Sequence, residues 1–389
     1  MKSLLEKPER DATELQAQSR SARAATLSTP EPLAPARWDW REVNRVLVVR
    51  LRSIGDTVLA TPSLHALRRF LPSAQIDVLL ESWVAPLLEG FDAVDNIITV
   101  ERGSTRSRAR VLKRLRAARY DVAYNLHGGT TATLLIRASG ARHRVGYRSY
   151  QYSRLLNHAA PPSSELWGIE KTHSVEQQLA LLGWTGVPVT DRPATQLAVT
   201  EKAASRVAER LRAGGLDDAK PVALIHPAAA FDTKQWATRN FARVTEELEA
   251  RGFQCVAIAA PNEKHVLDEL VTESRARIAA FTIPLPEVIA LAARSNLFVG
   301  NDSGIAHIAA AMRVPSVVIF GSSSVAHWRP WAVAPAEVVR EELSCQPCPG
   351  YFCAEFDQPE CIRRVSVQSV TAAIERVVSC QLSVVSCKS

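Results

Sequence analysis

Gly300-Asn301-Asp302-Ser303-Gly304-Ile305-Ala306-His307 separates two apolar runs, and its setting decides the fold. Before it stands Asn296-Leu297-Phe298-Val299, the pattern of a short buried strand. After it, residues 308–312 read as a helix ended by Val314-Pro315, and residues 316–320 read as a second apolar strand closing on Gly321. Strand, loop, helix and strand in that order form the unit of a parallel sheet, because parallel neighbours need a crossover. The loop is made of small residues where a helix begins. Free backbone N–H groups there, with the positive end of the helix dipole, suit a phosphate. Asp302 and His307 add groups able to hold hydroxyls or a leaving group. For an isolated Asn-Asp-Ser-Gly, a plain helix cap by Asp302 or Ser303 is the commoner use.

The same alternation runs through the chain. Strands are expected at 44–50, 75–80, 97–100, 120–126 and 144–147, with helices at 58–70, 83–90, 105–119, 131–139 and 173–183. A second series follows, with strands at 222–226 and 254–259 and helices at 201–214, 239–251, 262–272 and 286–294. Both series are α/β and read as doubly wound, Rossmann-like halves. The sequence predicts an unstructured tail over 1–40, a first domain over 41–190 and a second over 191–380, with a Pro-containing linker near 186–200. A last amphipathic helix is expected at 366–379, capped by Ser366. Ligands of such sheets sit outside the carboxyl ends of the strands. The motif-bearing loops 53–57, 127–129, 226–236, 259–263 and 301–307 all fall there, facing a cleft between the halves.

Composition narrows the function classes. A chain of 389 residues is too long for one compact core. It has no apolar run of roughly 18 residues, so no membrane span is expected. Its start, Met-Lys-Ser-Leu-Leu-Glu-Lys-Pro, has no apolar core of signal-peptide length, which predicts a cytoplasmic protein. The net charge is +7, and arginine is concentrated between Arg102 and Arg119. Such a surface fits nucleic acid, an anionic membrane face or an anionic substrate. The stretch 102–119 has no aromatic residue, which argues against nucleic acid as a partner. The first strand-to-helix turn, Arg52-Ser53-Ile54-Gly55-Asp56, lacks Gly-x-Gly-x-x-Gly spacing, which disfavours a dehydrogenase. Cys345, Cys348, Cys353 and Cys361 cluster late. In a cytosolic chain they point to metal or reduced thiols before disulfides. Four sulfurs suffice for a tetrahedral structural zinc site; metal, disulfide and free thiols all stay open.

Three pieces together resemble glycosyltransferase family 9, the heptosyltransferases of lipopolysaccharide core synthesis. The first is Arg50-Leu51-Arg52-Ser53-Ile54-Gly55-Asp56-Thr57 with the later Pro62. The second is Thr233-Lys234-Gln235-Trp236 followed by Asn240-Phe241-Ala242, where the family usually has Pro at the place of Ala237. The third is Asn301-Asp302-Ser303-Gly304 with His307, Pro315 and Phe320-Gly321, where members commonly have Thr in place of Ser303. The likeness spans about residues 44 to 378.

The resemblance implies the two-domain GT-B fold and an inverting transfer of heptose from ADP-heptose to a lipid-linked glycan acceptor. It implies no cofactor for catalysis. By it, Asp56 is the general base, taking the acceptor hydroxyl's proton; a helix cap is the alternative use of this carboxylate. Ser53 and Gly55 shape that loop. Lys234 offsets charge on the departing nucleoside diphosphate, and Thr233 also touches phosphate. Asp302 holds sugar hydroxyls, the Ser303 and Gly304 amides hold phosphate oxygens, and His307 donates to a phosphate or sugar oxygen. Glu263 contacts the ribose. The basic helix is either a solvated face or a contact with anionic lipid or phosphorylated sugar at the inner leaflet. Two further readings stay open: a relative using another nucleotide sugar and glycan acceptor, and a catalytically silent sugar-nucleotide binder.

Overall fold

The computed structural model describes residues 29–348 and 351–386. Strands β1 (Arg45–Val49), β2 (Gln75–Glu81), β3 (Asn96–Val100), β4 (Val122–Asn125), β5 (His143–Tyr147) and β6 (His158–Ala160) form one sheet in the order β3-β2-β1-β4-β5-β6. Strands β7 (Val222–His226), β8 (Gln254–Ile258), β9 (Ile278–Phe281), β10 (Leu297–Asn301), β11 (Ser316–Ile319) and β12 (Ala336–Val339) form the other, in the order β12-β11-β10-β7-β8-β9. All pairings are parallel. Each order reverses beside its central strand, so crossovers leave to opposite faces and open a crevice at the strand ends.

The strands are apolar on both faces because helices cover both. In β1, Leu47 and Val49 pack with Val111 and Leu115 on one side of the sheet, while Val46 and Val48 face the other. In β7, Ala223 and Ile225 pack against Trp236 and Phe241, while Leu224 belongs to the same core as Val46 and Val48. One core therefore continues from the first half into the second. The molecule is a two-domain α/β protein of GT-B type, with the sheets facing across a cleft.

Several elements differ from the sequence expectation. The helix expected over 58–70 is split into Ile54–Val58 and Thr61–Phe70. Pro62 explains the break, since it has no N–H and its ring clashes with the carbonyl four residues back. The strands β6, β9 and β12 were not expected. They are short edge strands with half-buried positions, and they lack the continuous apolar run of an inner strand. His307 lies inside a helix, Gly304–Ala311, not in the preceding loop. The final helix is longer than expected, Val367–Ser386.

The tail expected over 1–40 needs correction at its end; residues 1–28 lie outside the described residues. Residues 29–40 pack on the first half. The Leu33 N–H donates to the Gly183 carbonyl at 3.0 Å and the Val189 N–H to the Glu31 carbonyl at 2.9 Å. The Trp40 indole donates to the Thr185 carbonyl at 3.0 Å, and Trp38 stacks on His143 with ring centres 4.4 Å apart. Segment 187–200, expected as a linker, carries no helix or strand. It touches the second half through Thr195, whose hydroxyl donates to the Trp331 carbonyl at 3.0 Å. Among the described residues no helix is long and apolar enough to cross a membrane.

Candidate active site

A cavity of about 810 Å³ lies where the two halves meet. From the first half it takes Ser53, Gly55 and Asp56, on the turn and short helix that follow β1. From the second it takes Lys234, Glu263, Asp302, Ser303, Gly304 and His307. Nine of the ten predicted non-metal site residues thus line one space. Thr233 is the exception. It is buried behind the loop, its hydroxyl accepting from the Ser322 hydroxyl at 3.0 Å, and it does not line the cavity.

Asp56 is both a helix-start residue and a cleft carboxylate. Its Oδ2 accepts from the Ser53 N–H at 3.1 Å and the Ser53 hydroxyl at 3.0 Å. Its Oδ1 pairs with the guanidinium of Arg50, which also donates to the Leu126 carbonyl. Burial works to raise the carboxyl. Arg50 and the Ser53 donors outweigh it, and the pKa lies below the usual carboxylate value. The group is therefore ionised at neutral pH and able to receive a proton.

The second half builds its charge from a longer-range pair. Lys234 ends the turn Asp232–Lys234, and its Nζ lies 2.8 Å from Asp302 Oδ2. That buried oxygen has the Lys234 ammonium as its ion-pair partner and no other polar partner among the described residues. It keeps acceptor capacity for a ligand hydroxyl. The loop is pinned from below by Asn301, whose Oδ1 accepts from the Trp236 N–H at 3.1 Å and whose Nδ2 donates to the Pro227 carbonyl at 2.7 Å. Trp236 is fully buried and donates its indole N–H to the Val365 carbonyl at 2.9 Å. It anchors the loop from inside the core.

The helix Gly304–Ala311 starts at the cavity with no side chain capping it. The cap reading of Asp302 and Ser303 does not hold. Asp302 is held by Lys234, and the Ser303 hydroxyl lies 3.2 Å from His226 Nδ1. The first-turn N–H groups are left for an anion. Two glycines then let the halves touch at this point. A Cβ on Gly304 would lie 2.6 Å from the Ile54 side chain and 3.0 Å from the Gly55 nitrogen. A Cβ on Gly55 would lie 2.6 Å from the His307 ring. Buried His307 is shifted down by desolvation, against the pull of Asp302 and Asp56, and its Nδ1 has no partner.

The cavity continues into an apolar slot with Ile258, Pro261, Ile283 and Leu285. Glu263 lines it, with its Oε2 accepting from the Ala260 N–H at 3.2 Å. Such a slot with a carboxylate beside it can take a flat ring and its attached hydroxyls.

Sequence reasoning assigned no role to Arg50, His127 or His226. Their signal was position alone, since each follows or ends an inner strand on the cleft side. Burial holds His226 at about 4. His127 is also at about 4, from burial and from nearby Arg50.

A family model described as "Glycosyltransferase family 9 (heptosyltransferase)" matches residues 108–357. The chain belongs to glycosyltransferase family 9. It is 30% identical over 300 residues to lipopolysaccharide heptosyltransferase 3 of Escherichia coli K12, covering 72% of this chain and 83% of that protein. It is 29% identical over 297 residues to lipopolysaccharide heptosyltransferase 2 of the same strain, with the same coverage. Among solved structures, a family 9 glycosyltransferase from Veillonella parvula aligns with a TM-score of 0.78 at 21% identity, covering 86% of this chain and 97% of that one. The E. coli ADP-heptose LPS heptosyltransferase II aligns with a TM-score of 0.71 at 24% identity, covering 87% and 99%. These two likenesses carry the fold. The protein is a glycosyltransferase. The family match begins after the Asp56 loop.

Among the described residues no group of three or more His, Cys, Asp or Glu side chains is placed to hold a metal ion. Cys345, Cys348, Cys353 and Cys361 are free thiols. They are neighbours all the same: burial pushes the Cys361 thiol up, and the other three add to the shift.

Proposed function

We propose that the protein transfers a heptose from ADP-heptose to the inner core of lipopolysaccharide with inversion at the anomeric carbon. The acceptor binds the half made by residues 41–190 and the donor the half made by 191–380. The observation that carries this reading is that Asp56 and Lys234, from different halves, line one cavity. The ionised Asp56 accepts the proton of the acceptor hydroxyl as its oxygen attacks the sugar. The bond to the diphosphate breaks, and ADP leaves with the negative charge. Lys234 and the open N–H groups of helix Gly304–Ala311 stabilise that charge. The Asp302 carboxylate, paired with Lys234, accepts a hydrogen bond from a sugar hydroxyl. The apolar slot takes the base, with Glu263 on the ribose. The E. coli relatives matched over most of their length are named as lipopolysaccharide heptosyltransferases, which supports this donor and acceptor.

The test mixes the protein with ADP-heptose and a heptose-free Kdo–lipid A acceptor and measures ADP release. Acceptor-dependent release that is lost in Asp56→Asn supports the reading. Release of another nucleotide from another nucleotide sugar keeps the transferase and changes its donor. Absence of any nucleotide-sugar binding overturns it.

A further inference from the structure

The helix Thr105–Ala118 carries charge that sugar transfer does not use. Residues 102–119 hold eight cations and no acid. All eight are exposed, and among the described residues none is in an ion pair. Only Ser107, Val111 and Leu115 of the helix are buried, which fastens one narrow face to the core and leaves the rest to solvent. Arg106, Arg110, Lys113 and Arg114 share a flank by helical spacing. Arg106 and Arg108 also stand at the positive end of the helix dipole, where cations are unfavourable. Fold stability therefore gives no reason for this charge, since uncompensated like charges repel.

The surface extends to the next helix, Gly129–Ser139, through Arg116, whose Nε donates to the Ala138 carbonyl at 3.0 Å. That helix adds the exposed Arg137 and the half-exposed Leu134. It begins just after β4, at the strand ends that face the cleft.

We propose that this face docks the protein on an anionic lipid surface. Its broad, acid-free charge is complementary to such a surface. A nucleic-acid partner fits less well, because the stretch 102–119 offers no aromatic platform for bases, while Leu134 suits a lipid interface. The proximity to the cleft gains meaning from the lipid-linked acceptor proposed above, and in that respect the inference rests on that reading. Binding is therefore measured on vesicles that contain no acceptor, so that either idea can fail without the other.

The full chain is sedimented with vesicles of phosphatidylcholine alone or mixed with phosphatidylglycerol, at low and physiological salt. Binding is expected only to the anionic vesicles, and weaker at higher salt. The variant Arg106→Gln/Arg110→Gln/Lys113→Gln/Arg114→Gln should lose about 10³-fold in vesicle affinity while its ADP affinity, the check on folding, is unchanged. Arg106→Lys/Arg110→Lys/Arg114→Lys keeps the charge and should keep the binding, which preserves the test if the glutamine variant does not fold. Equal binding to neutral vesicles, no binding to anionic ones, or tighter binding to a duplex DNA fragment would overturn the proposal.

Discussion

The two halves share one strand order, yet they arm the cleft in opposite ways. In the first, Arg50 holds Asp56 within a single turn of chain, and the anion lines the cavity. In the second, Asp302 holds Lys234 across two loops, with an uncapped helix start beside the pair. A local pair makes a compact, ionised carboxylate. A long-range pair ties the loop 227–237 to the end of β10 and aims positive potential at one spot. Equivalent strand ends of equivalent sheets thus present opposite charge to the cleft, a carboxylate from one half and an ammonium from the other.

This contrast fixes the expected size of each perturbation. Asp56→Asn keeps the shape and removes the proposed base, and turnover should fall about 10²- to 10⁴-fold, measured as ADP release. Lys234→Ala should cost about 10²- to 10³-fold in kcat. It also strands the buried Asp302 carboxylate, so the melting temperature should fall with it. If both variants lost turnover only through KM, the division of labour would be broken.

Smaller effects test the seam between the halves. Gly304→Ala forces a methyl group against Ile54 and the Gly55 backbone. It should destabilise by about 1–3 kcal/mol in denaturant titration. An unchanged midpoint would mean that the halves do not meet as closely in solution.

A pH titration sharpens the contrast further. His226 at about 4, His158 at about 4 and His173 at about 3 are all held low, with burial the main cause in each. They are neutral in the fold, while the unfolded chain binds protons near pH 6.5. Stability should therefore be full above about pH 6.5 and decline as pH falls toward 4. Asp56, held below the ordinary carboxylate value, stays ionised through most of that window. Chemical denaturation across this range should show the loss before the Asp56 carboxylate protonates.

Much of this was legible in the sequence where the chain is apolar and alternating. The inner strands β1, β2, β4, β7, β8, β10 and β11 stand close to their expected places because both of their faces are buried. The edge strands β6, β9 and β12 were not legible, since their pairing comes from a neighbour and not from their own pattern. The site residues were legible as loop motifs after strands, and nine of them share the cavity. Thr233 was not, because nothing in Thr-Lys-Gln-Trp says which side chain turns inward. Nor was Arg50 as the partner of Asp56, since six residues of separation give no hint that the turn folds back. The cysteines were legible as a cluster and not as a chemistry, because four nearby thiols serve metal, disulfide or free-thiol roles alike.

The most direct test of the division between the halves is ADP titration of Asp56→Asn and Lys234→Ala beside the parent chain. Asp56→Asn is expected to keep parental ADP affinity despite its lost turnover, and Lys234→Ala to bind ADP clearly more weakly. Loss of ADP binding in Asp56→Asn, or parental binding in Lys234→Ala, would contradict that division.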